Sequence, residues 1–270
     1  MRFGFLLGGL PFVILMLFSC LMGERPGFTI ATTTSVDNSG LLRHLADEFQ
    51  RKTAIEARWV SVGSGKALQL AAENKVDLVI SHDPDQERKF VATGRASLYE
   101  PFARNDFVLI GPPANPARIA PDDSAEEAFR KIVRSGSRFV SRGDSSGTHS
   151  RETAIWSAAG VDPKGEAYIS LGQSMTALLR SARELDAYAL SDAATYLQVS
   201  RGSGQKILLE GDPMFRNVYS VILLRSGTGP ESRERAGRFA EWLLSPEGTE
   251  AVAAFSIEGK AVFTPGGRDR

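Results

Sequence analysis

Short apolar segments alternate with longer amphipathic segments along this chain, and this alternation constrains the fold more than any other feature. The apolar segments have the length and composition of buried strands, and the amphipathic segments carry apolar residues at helical spacing. The first three such pairs are FTIA with SGLLRHLADEFQRKT, IEARWVSV with GKALQLAAEN, and VDLVIS with PDQERKFVATG. Strands that alternate with helices of about ten or more residues predict parallel βαβ units, and therefore an α/β fold.

A proline-rich stretch divides this pattern into two series. After the strand-like NDFVLI the chain reads GPPANPA, and a second run of alternating segments follows. Further on, the strand pattern NVYSVILLR predicts a return to the first series. We therefore predict two lobes with a ligand cleft between them, which is a favoured place for a binding site. The first lobe would comprise residues 27–110 with about 216–265, and the second about 111–215.

The N-terminus has the composition of an export signal. Arg2 precedes an apolar stretch that carries no charge until Glu24. A basic start, an apolar middle and small residues at the end predict a secretory signal peptide over residues 1–22. A membrane anchor helix is the alternative, because the stretch approaches the ~18–20 residues that span a bilayer. Two glycines and a proline within the stretch favour the export signal.

The one cysteine of the chain, Cys20, ends this stretch in the sequence LFSC. This resembles a bacterial lipoprotein signal, in which the cysteine is lipidated and becomes the first residue of the mature protein. We therefore predict an exported protein that is periplasmic or lipid-anchored at the outer face of the cell membrane. The mature domain would contain no thiol, and its three histidines are scattered, so we predict no disulfide and no cation-ligand site.

The charge of the chain argues against binding to nucleic acid. Its 32 basic and 32 acidic residues give a formal net charge of +0, and the sequence contains no basic stripe. A nucleic-acid-binding protein normally carries such a stripe. With 42% hydrophobic and 24% charged residues, the composition is that of an ordinary globular protein.

Three polar loops stand where a strand pattern gives way to a helix pattern: ATTTSVDNSG, VSVGSGKAL and FVSRGDSSGTHSRE. A helix that begins in such a loop exposes main-chain N–H groups and a partial positive charge, and both attract an anion. Hydroxyl groups add donors, and an arginine adds a permanent charge with a planar fork that suits an oxyanion. The candidate oxyanion-binding residues are Thr33, Thr34, Ser35, Ser64, Arg142, Ser146, Gly147 and Thr148.

Two other interpretations of these loops stay open. Serine and threonine are favoured helix N-caps, so each loop alone could simply begin a helix. The third loop could instead hold the nucleophile and base of an exported hydrolase, Ser146 and His149. An α/β-hydrolase carries a Gly-x-Ser-x-Gly elbow, which the sequence around Ser146 lacks, and no histidine follows His149. Three loops that are rich in donors and nearly free of acceptors favour a deprotonated oxyanion as the ligand.

Taken in order, several motifs resemble the tungstate-binding proteins of bacterial tungstate ABC importers: TTTS, SGLL, VGSGKAL, DLVISHDP, NDFVLIGP, SRGDSSGTHSRE, GQSM and EGDP. The resemblance covers about residues 28–224. It implies a two-lobed periplasmic-binding-protein fold that captures tungstate, or molybdate, and delivers it to an ABC permease and its ATPase. It also implies a monomeric binding protein that is not an enzyme and needs no cofactor.

The resemblance also assigns roles to individual residues. It implies that the TTTS loop (33–35) and the loop 142–148 hold the anion from opposite lobes. Ser64 would add a donor at a position where the family often has threonine. Ser174 of GQSM, where the family often has glycine, and His82 of SHDP are secondary candidates.

Phosphate transport or sensing is the alternative function, because phosphate-binding proteins also use an arginine followed by Ser-Gly-Thr. Phosphate keeps a proton near neutral pH, so its binder needs a buried carboxylate as acceptor. Asp83 could supply this acceptor if its side chain turned inward. Asp83 followed by Pro84 has the form of a helix cap, so we predict that it caps the next helix and that the site takes a proton-free dianion. Asp144 is expected to orient Arg142.

Overall fold

We describe the protein from a computed structural model, in which residues 26–144, 146–200 and 204–266 are described. The strands are β1 (Gly27–Thr33), β2 (Glu56–Val62), β3 (Leu78–Ser81), β4 (Ala96–Gly111), β5 (Phe139–Ser141), β6 (Tyr168–Ser170), β7 (Ala189–Asp192), β8 (Lys206–Leu209), β9 (Arg216–Leu224), β10 (Ser256–Ile257), β11 (Lys260–Ala261) and β12 (Thr264–Pro265). The helices are α1 (Thr34–Asn38), α2 (Leu41–Thr53), α3 (Ser64–Ala72), α4 (Pro84–Val91), α5 (Ala125–Arg134), α6 (Gly147–Ala159), α7 (Met175–Glu184), α8 (Ala193–Val199), α9 (Pro230–Leu244) and α10 (Pro246–Ala254).

The predicted export signal cannot be compared with these elements. The segment 1–22 and its Cys20 lie outside the described residues. Within the described residues, no helix combines the length and the apolar character that crossing a membrane requires.

The parallel βαβ units predicted from the sequence build one side of the main sheet. Strand β1 pairs in parallel with β2 and with β3, so the carboxyl ends of three consecutive strands lie together. The strand order is β12-β4-β9-β3-β1-β2, and β9 and β12 run antiparallel to their neighbours. The fold is therefore α/β, with a mixed rather than a purely parallel sheet.

Strand β4 is long and belongs to two bodies of the molecule. Its first part pairs with β9 as far as Asp106, and from Phe107 onward it pairs with β7. We call the elements around the first part the first lobe (β1–β3, β9, β12, α1–α4, α9 and α10) and those around the second part the second lobe (β5–β8 and α5–α8). The chain thus passes between the lobes inside a strand, and the residue bounds predicted for the lobes stay a proposal.

Aromatic side chains fill the core of each lobe. In the first lobe, the ring of Phe49 packs on Phe239 with centroids 5.1 Å apart. In the second lobe, Phe129 and Phe139 pack on Trp156 at 4.4 and 5.1 Å. Helix α2 buries the apolar face that its spacing predicted, namely Leu41, Leu42, Leu45, Ala46 and Phe49. These contacts hold the helices against the strands and thereby fix the loops between them.

A buried carboxylate, Asp77, joins the start of β3 to the start of α9. Its oxygens accept hydrogen bonds from Thr228 N at 2.7 Å, Thr228 Oγ1 at 2.9 Å and Ser232 Oγ at 2.6 Å. They also accept from Thr29 N in β1 at 2.9 Å. The residue is fully buried, so these charge-assisted bonds replace the water that the carboxylate has lost.

Replacing Asp77 by asparagine is expected to destabilise the fold. The amide offers one acceptor oxygen fewer and adds donors to a cluster of donors, so buried groups lose partners at a cost of about 1–3 kcal/mol each. Urea unfolding measures the loss. The matched control is Asp122→Asn at an exposed position, which should change stability by less than about 0.5 kcal/mol. Equal stability of Asp77→Asn and the unmodified protein would contradict this role.

Candidate functional site

Three strand ends bring the predicted polar loops together. Thr33, the last residue of β1, stands in register with Val62, the last residue of β2, and Ser64 begins α3 just beyond it. On the other side of β1, strand β3 leads into His82. Gly147 of the second lobe lies against that residue, because a Cβ on Gly147 would be only 2.7 Å from the His82 carbonyl oxygen. This close approach requires a glycine and places the third loop beside the other two.

Several buried polar atoms that have no partner in the protein lie in or beside these loops. Buried polar groups in folded proteins are nearly all hydrogen-bonded. Among the described residues, the buried atoms that lack a protein partner include the hydroxyls of Thr32, Ser35, Ser64 and Thr148, Nε and Nη1 of Arg142, Nε2 of His82 and Oδ2 of Asp192. The same residues contain no group of three or more His, Cys, Asp or Glu side chains that could hold a metal ion. Most of the unpartnered atoms are donors, so the set suits a ligand that accepts hydrogen bonds.

The guanidinium of Arg142 is held on one side only. Its Nη2 donates to Asp144 Oδ2 at 2.6 Å, which is the orienting contact expected from the sequence. Its main-chain oxygen accepts from Gly172 N at 2.8 Å. The residue is 2% exposed, yet Nε and Nη1 have no acceptor in the protein. Arg142 therefore adds two unpartnered nitrogen donors and a positive charge to this set.

The start of α6 combines a cap with a free hydroxyl. Ser146 Oγ accepts from His149 N at 3.3 Å, and Ser146 N donates to Asp144 Oδ1 at 3.1 Å. The ring of His149 instead contacts the main-chain oxygen of Asp144 through Nδ1, so Ser146 and His149 do not form a hydroxyl–imidazole pair. Thr148 is fully buried and its hydroxyl has no partner. The capping and donor interpretations therefore apply to different residues of one loop.

The TTTS loop shows the same division of roles. Thr33 Oγ1 accepts from Val36 N at 3.3 Å and caps α1. Thr34 is half-buried, whereas Ser35 is buried and its hydroxyl has no partner. Thr32, which the sequence analysis did not select, is also buried with an unpartnered hydroxyl. Its position in the run of hydroxyl residues 32–35 could have indicated a role in the site. Strand β1 extends into this run as far as Thr33, so Thr32 lies in the strand and not in the loop.

His82 is a buried, neutral histidine at the end of β3. Its Nδ1 lies 2.9 Å from Asn217 Oδ1, and its ring stacks on Tyr219 with centroids 5.2 Å apart. Burial lowers the pKa of His82 to about 4, so the ring is uncharged at neutral pH. Its Nε2 has no partner in the protein. His82 therefore adds a polar atom, but no charge, to the site.

Asp83 caps helix α4, as the Asp-Pro pair predicted. Its Oδ1 accepts from Gln86 N at 3.2 Å, and Pro84 is the first helical residue. The carboxylate is nevertheless buried. Its Oδ2 accepts from Gln86 Nε2 and from Ser150 Oγ, both at 2.6 Å. Ser150 belongs to α6, so Asp83 also links the two lobes. Both carboxylate oxygens thus have partners within the protein.

Ser174 does not belong to the set of residues with unpartnered atoms. It caps α7 by accepting from Ala177 N at 3.3 Å and is half-buried. Its loop supports the site indirectly, because Gly172 N holds the main chain of Arg142.

One carboxylate near these residues, Asp192, could not be identified from the sequence. Asp192 ends β7 and caps α8, where its Oδ1 accepts from Thr195 N at 2.8 Å. It is fully buried, and Oδ2 has no partner. A parallel bridge between Phe139 and Tyr188 sets β7 beside β5, so Asp192 and Arg142 follow adjacent strands in the same direction. Burial raises the pKa of Asp192, and the Thr195 hydrogen bond and the Arg142 charge oppose this rise.

The two lobes contact each other around the site. Ser150 of the second lobe donates to Asp83 of the first. On α8, Gln198 Nε2 donates to the main-chain oxygen of Ser39 at 2.8 Å. The unpartnered donors of both lobes are thereby enclosed in a closed arrangement, away from solvent.

Comparison with known proteins identifies the family. Residues 23–247 match the model of a PBP superfamily domain. A tungstate-binding protein of Peptoclostridium acidaminophilum is 37% identical over 242 residues, which cover 87% of this chain and 84% of the relative. The chain belongs to the PBP superfamily and to this family of tungstate-binding proteins. The resemblance found in the sequence motifs is thus confirmed.

Solved structures of the PBP superfamily agree with the described fold. The tungstate-binding protein of Desulfovibrio alaskensis G20 superposes with a TM-score of 0.76 at 36% identity, covering 90% of this chain and 100% of that one. The tungstate ABC transporter structure from Geobacter sulfurreducens gives a TM-score of 0.78 at 35% identity, covering 85% and 98%. The two-lobed periplasmic-binding-protein fold expected from the sequence is confirmed.

The burial of His82 predicts how it titrates. Because its pKa is about 4, we expect the ring to protonate near that pH. An exposed histidine protonates near its ordinary pKa of about 6.5. Because the folded-state pKa is lowered, this residue's contribution to stability is complete above about pH 6.5 and is lost as the pH falls toward the folded-state value. An NMR titration, with His82→Gln to assign the signal, measures the midpoint. A midpoint near 6.5 would contradict the described burial.

Proposed function

We propose that this protein is an exported solute-binding protein that captures tungstate and delivers it to an ABC permease with its ATPase. The observation that carries the proposal is the set of buried donors that have no acceptor in the protein, from Arg142, Ser35, Ser64 and Thr148. One sequence relative and one solved structure are named tungstate-binding proteins, and a second solved structure is of a tungstate ABC transporter. We infer from both a binding protein and not an enzyme.

A tungstate dianion fits this donor set chemically. It carries oxygens that accept hydrogen bonds and no proton to donate at neutral pH. Burying a dianion is costly, and the cost is offset by the Arg142 charge, by the starts of α3 and α6, and by charge-assisted hydrogen bonds. The residues proposed to bind are Thr33, Thr34, Ser35, Ser64, Arg142, Ser146, Gly147 and Thr148, with Thr32 added from the structure.

We propose that the anion acts as a link between the lobes. Ser35 and Ser64 belong to the first lobe, and Arg142 and Thr148 belong to the second. An anion that binds all four stabilises the closed arrangement over an open one. The permease would then recognise the loaded protein by the relative position of its lobes.

The remaining features of the proposal follow from the sequence. The lobes comprise residues 27–110 with about 216–265, and about 111–215, and the protein acts as a monomer. Residues 1–22 direct export, and Cys20 carries the lipid. Molybdate has the same charge and geometry as tungstate, so we propose that the site accepts it too, whereas the smaller sulfate is discriminated by pocket size.

Neither alternative function is favoured. The phosphate site considered from the sequence would use Asp83 as a free acceptor, but its oxygens accept from Gln86 and Ser150. A hydrolase would need Ser146 and His149 side chains in contact, but they meet only through the His149 main-chain N–H.

Arg142→Ala is expected to weaken tungstate binding at least about 100-fold. It removes two hydrogen bonds to a charged ligand, each contributing about 1.5–3 kcal/mol, together with the charge that offsets the buried dianion. Calorimetric titration with tungstate measures the affinity. The control is Arg183→Ala at an exposed position on α7, which should bind normally. Near-normal affinity of Arg142→Ala would refute the assignment of this residue.

The hydroxyl donors are expected to contribute individually. Ser35→Ala, Ser64→Ala and Thr148→Val should each weaken tungstate binding about tenfold or more, since each removes one hydrogen bond to a charged ligand. Ser157→Ala, an exposed position on α6, serves as the control. If all three variants bound as the unmodified protein does, these hydroxyls would not be ligands.

Gly147→Ala is expected to hinder closure without changing any donor. Its Cβ would lie 2.7 Å from the His82 carbonyl oxygen, and overpacking of this kind costs about 1–3 kcal/mol. We therefore expect about 5- to 100-fold weaker tungstate binding and, by small-angle X-ray scattering, a less compact loaded protein. Gly229→Ala, where an added Cβ meets nothing within 4 Å, is the control. Unchanged affinity and compaction would show that the lobes do not approach at this point.

A further inference from the structure

The carboxyl group of Asp192 stands among donors, and the proposed capture of tungstate gives it no role. Its Oδ1 is engaged by Thr195 N at 2.8 Å. Its Oδ2 is buried and has no partner in the protein, and the residue is 0% exposed. A helix cap requires only one of the two oxygens. The second oxygen is therefore an unexplained polar atom at the end of β7.

The strands around Asp192 bring it beside residues of the proposed anion site. Strand β7 lies beside β5, and Arg142 follows β5 directly. Arg142 makes its ion pair with Asp144 at 2.6 Å, but its charge also acts on Asp192. The Asp192 charge in turn acts on Tyr219, whose ring stacks on His82. The carboxyl thus lies near both the arginine and the histidine that carry unpartnered nitrogens.

An ionised Asp192 would repel a dianion in this enclosed site, and like charges that are buried together favour protonation of one of them. A protonated carboxyl has an O–H donor in addition to its remaining acceptor capacity. In that form Asp192 would match the character of the other groups, which donate hydrogen bonds.

We propose that Asp192 is a further recognition residue, which holds a proton when tungstate is bound and donates its O–H to an oxygen of the anion. This inference rests on the proposed function. It makes capture a proton-linked event: the bound protein holds one proton more than the free protein whenever Asp192 is ionised before binding.

Other titratable or charged groups surround Asp192, and they have different roles. Arg142 and Asp144 form an ion pair, and burial lowers the pKa of His82 to about 4. Burial raises the pKa of Tyr219 well above its ordinary value, so this side chain stays neutral. Asp106, which precedes the β4 residue paired with Asp192, is exposed, and partial desolvation raises its pKa. His82 and Asp106 are therefore the competing proton carriers, and variants distinguish them.

The proton linkage has a defined sign. Because the bound state holds the extra proton, affinity should fall as the pH rises above the Asp192 pKa of the free protein, by up to tenfold per pH unit. Calorimetric titration with tungstate from about pH 6.5 to about pH 9 gives the slope. Repetition in buffers of different ionisation enthalpy gives the number of protons taken up. Absence of any tungstate binding would refute the proposed function itself, whereas binding without proton uptake or pH slope would refute only this inference.

Asp192→Asn is the decisive variant. The amide donates from Nδ2 in place of the O–H, and asparagine remains a good helix cap, so we expect tungstate affinity near pH 7 within about tenfold of normal. We expect the pH slope and the proton uptake to disappear. Asp192→Ala, which has no donor, should bind more weakly than Asp192→Asn by about tenfold, and thermal unfolding verifies that both variants are folded.

Three results would overturn the proposal. If Asp192→Asn keeps the slope, the proton resides on another group or on the anion, and loss of the slope in His82→Gln or Asp106→Asn would identify that group. If Asp192→Asn loses affinity far beyond Asp192→Ala, a donor at this position is harmful. If the unmodified protein binds phosphate as tightly as tungstate, Asp192 acts as an acceptor for a protonated anion.

Discussion

The proposed site depends on the buried guanidinium of Arg142 and its one-sided ion pair with Asp144. A buried charge is tolerated only when it is paired and hydrogen-bonded, and Asp144 satisfies one edge of this group while leaving Nε and Nη1 unpartnered. We propose that this incomplete pairing favours the binding of an anion at the end of β5. In the proposed site, the unpartnered hydroxyls of Ser35, Ser64 and Thr148 add further donors. Charge and geometry therefore select the same class of ligand.

In the polar loops, one residue caps the helix, and another residue two positions later has an unpartnered hydroxyl. Thr33 and Ser146 accept from the N–H three residues later and thereby fix the first turns of α1 and α6. Ser35 and Thr148, two residues beyond each cap, keep their hydroxyls unpartnered. A cap thus acts as a positioning device, because it fixes the first turn of the helix on which the unpartnered residue lies.

The features that depend on residues close together in the chain could be predicted from the sequence. The spacing of α2, the Asp83 cap and the βαβ order follow from neighbouring residues, and the structure contains each of them. Asp192 could not be found in this way, because its relation to Arg142 arises from β5 and β7 lying side by side although they are distant in the chain. Strand β4 joins the two lobes in a similar way, because its successive partners β9 and β7 lie far from it in the chain.

Two kinds of contact hold the lobes together, and their balance decides whether the protein can transport at all. Direct contacts, such as Ser150 with Asp83 and Gln198 with Ser39, involve protein atoms alone. A ligand shifts an equilibrium only by its differential affinity for the two states. If direct contacts alone closed the cleft, an anion could neither enter nor signal its presence. The unpartnered donors oppose closure of the empty protein, because burying them without an acceptor is costly. In the proposed mechanism, the cost of burying these donors without an acceptor therefore makes closure depend on the anion.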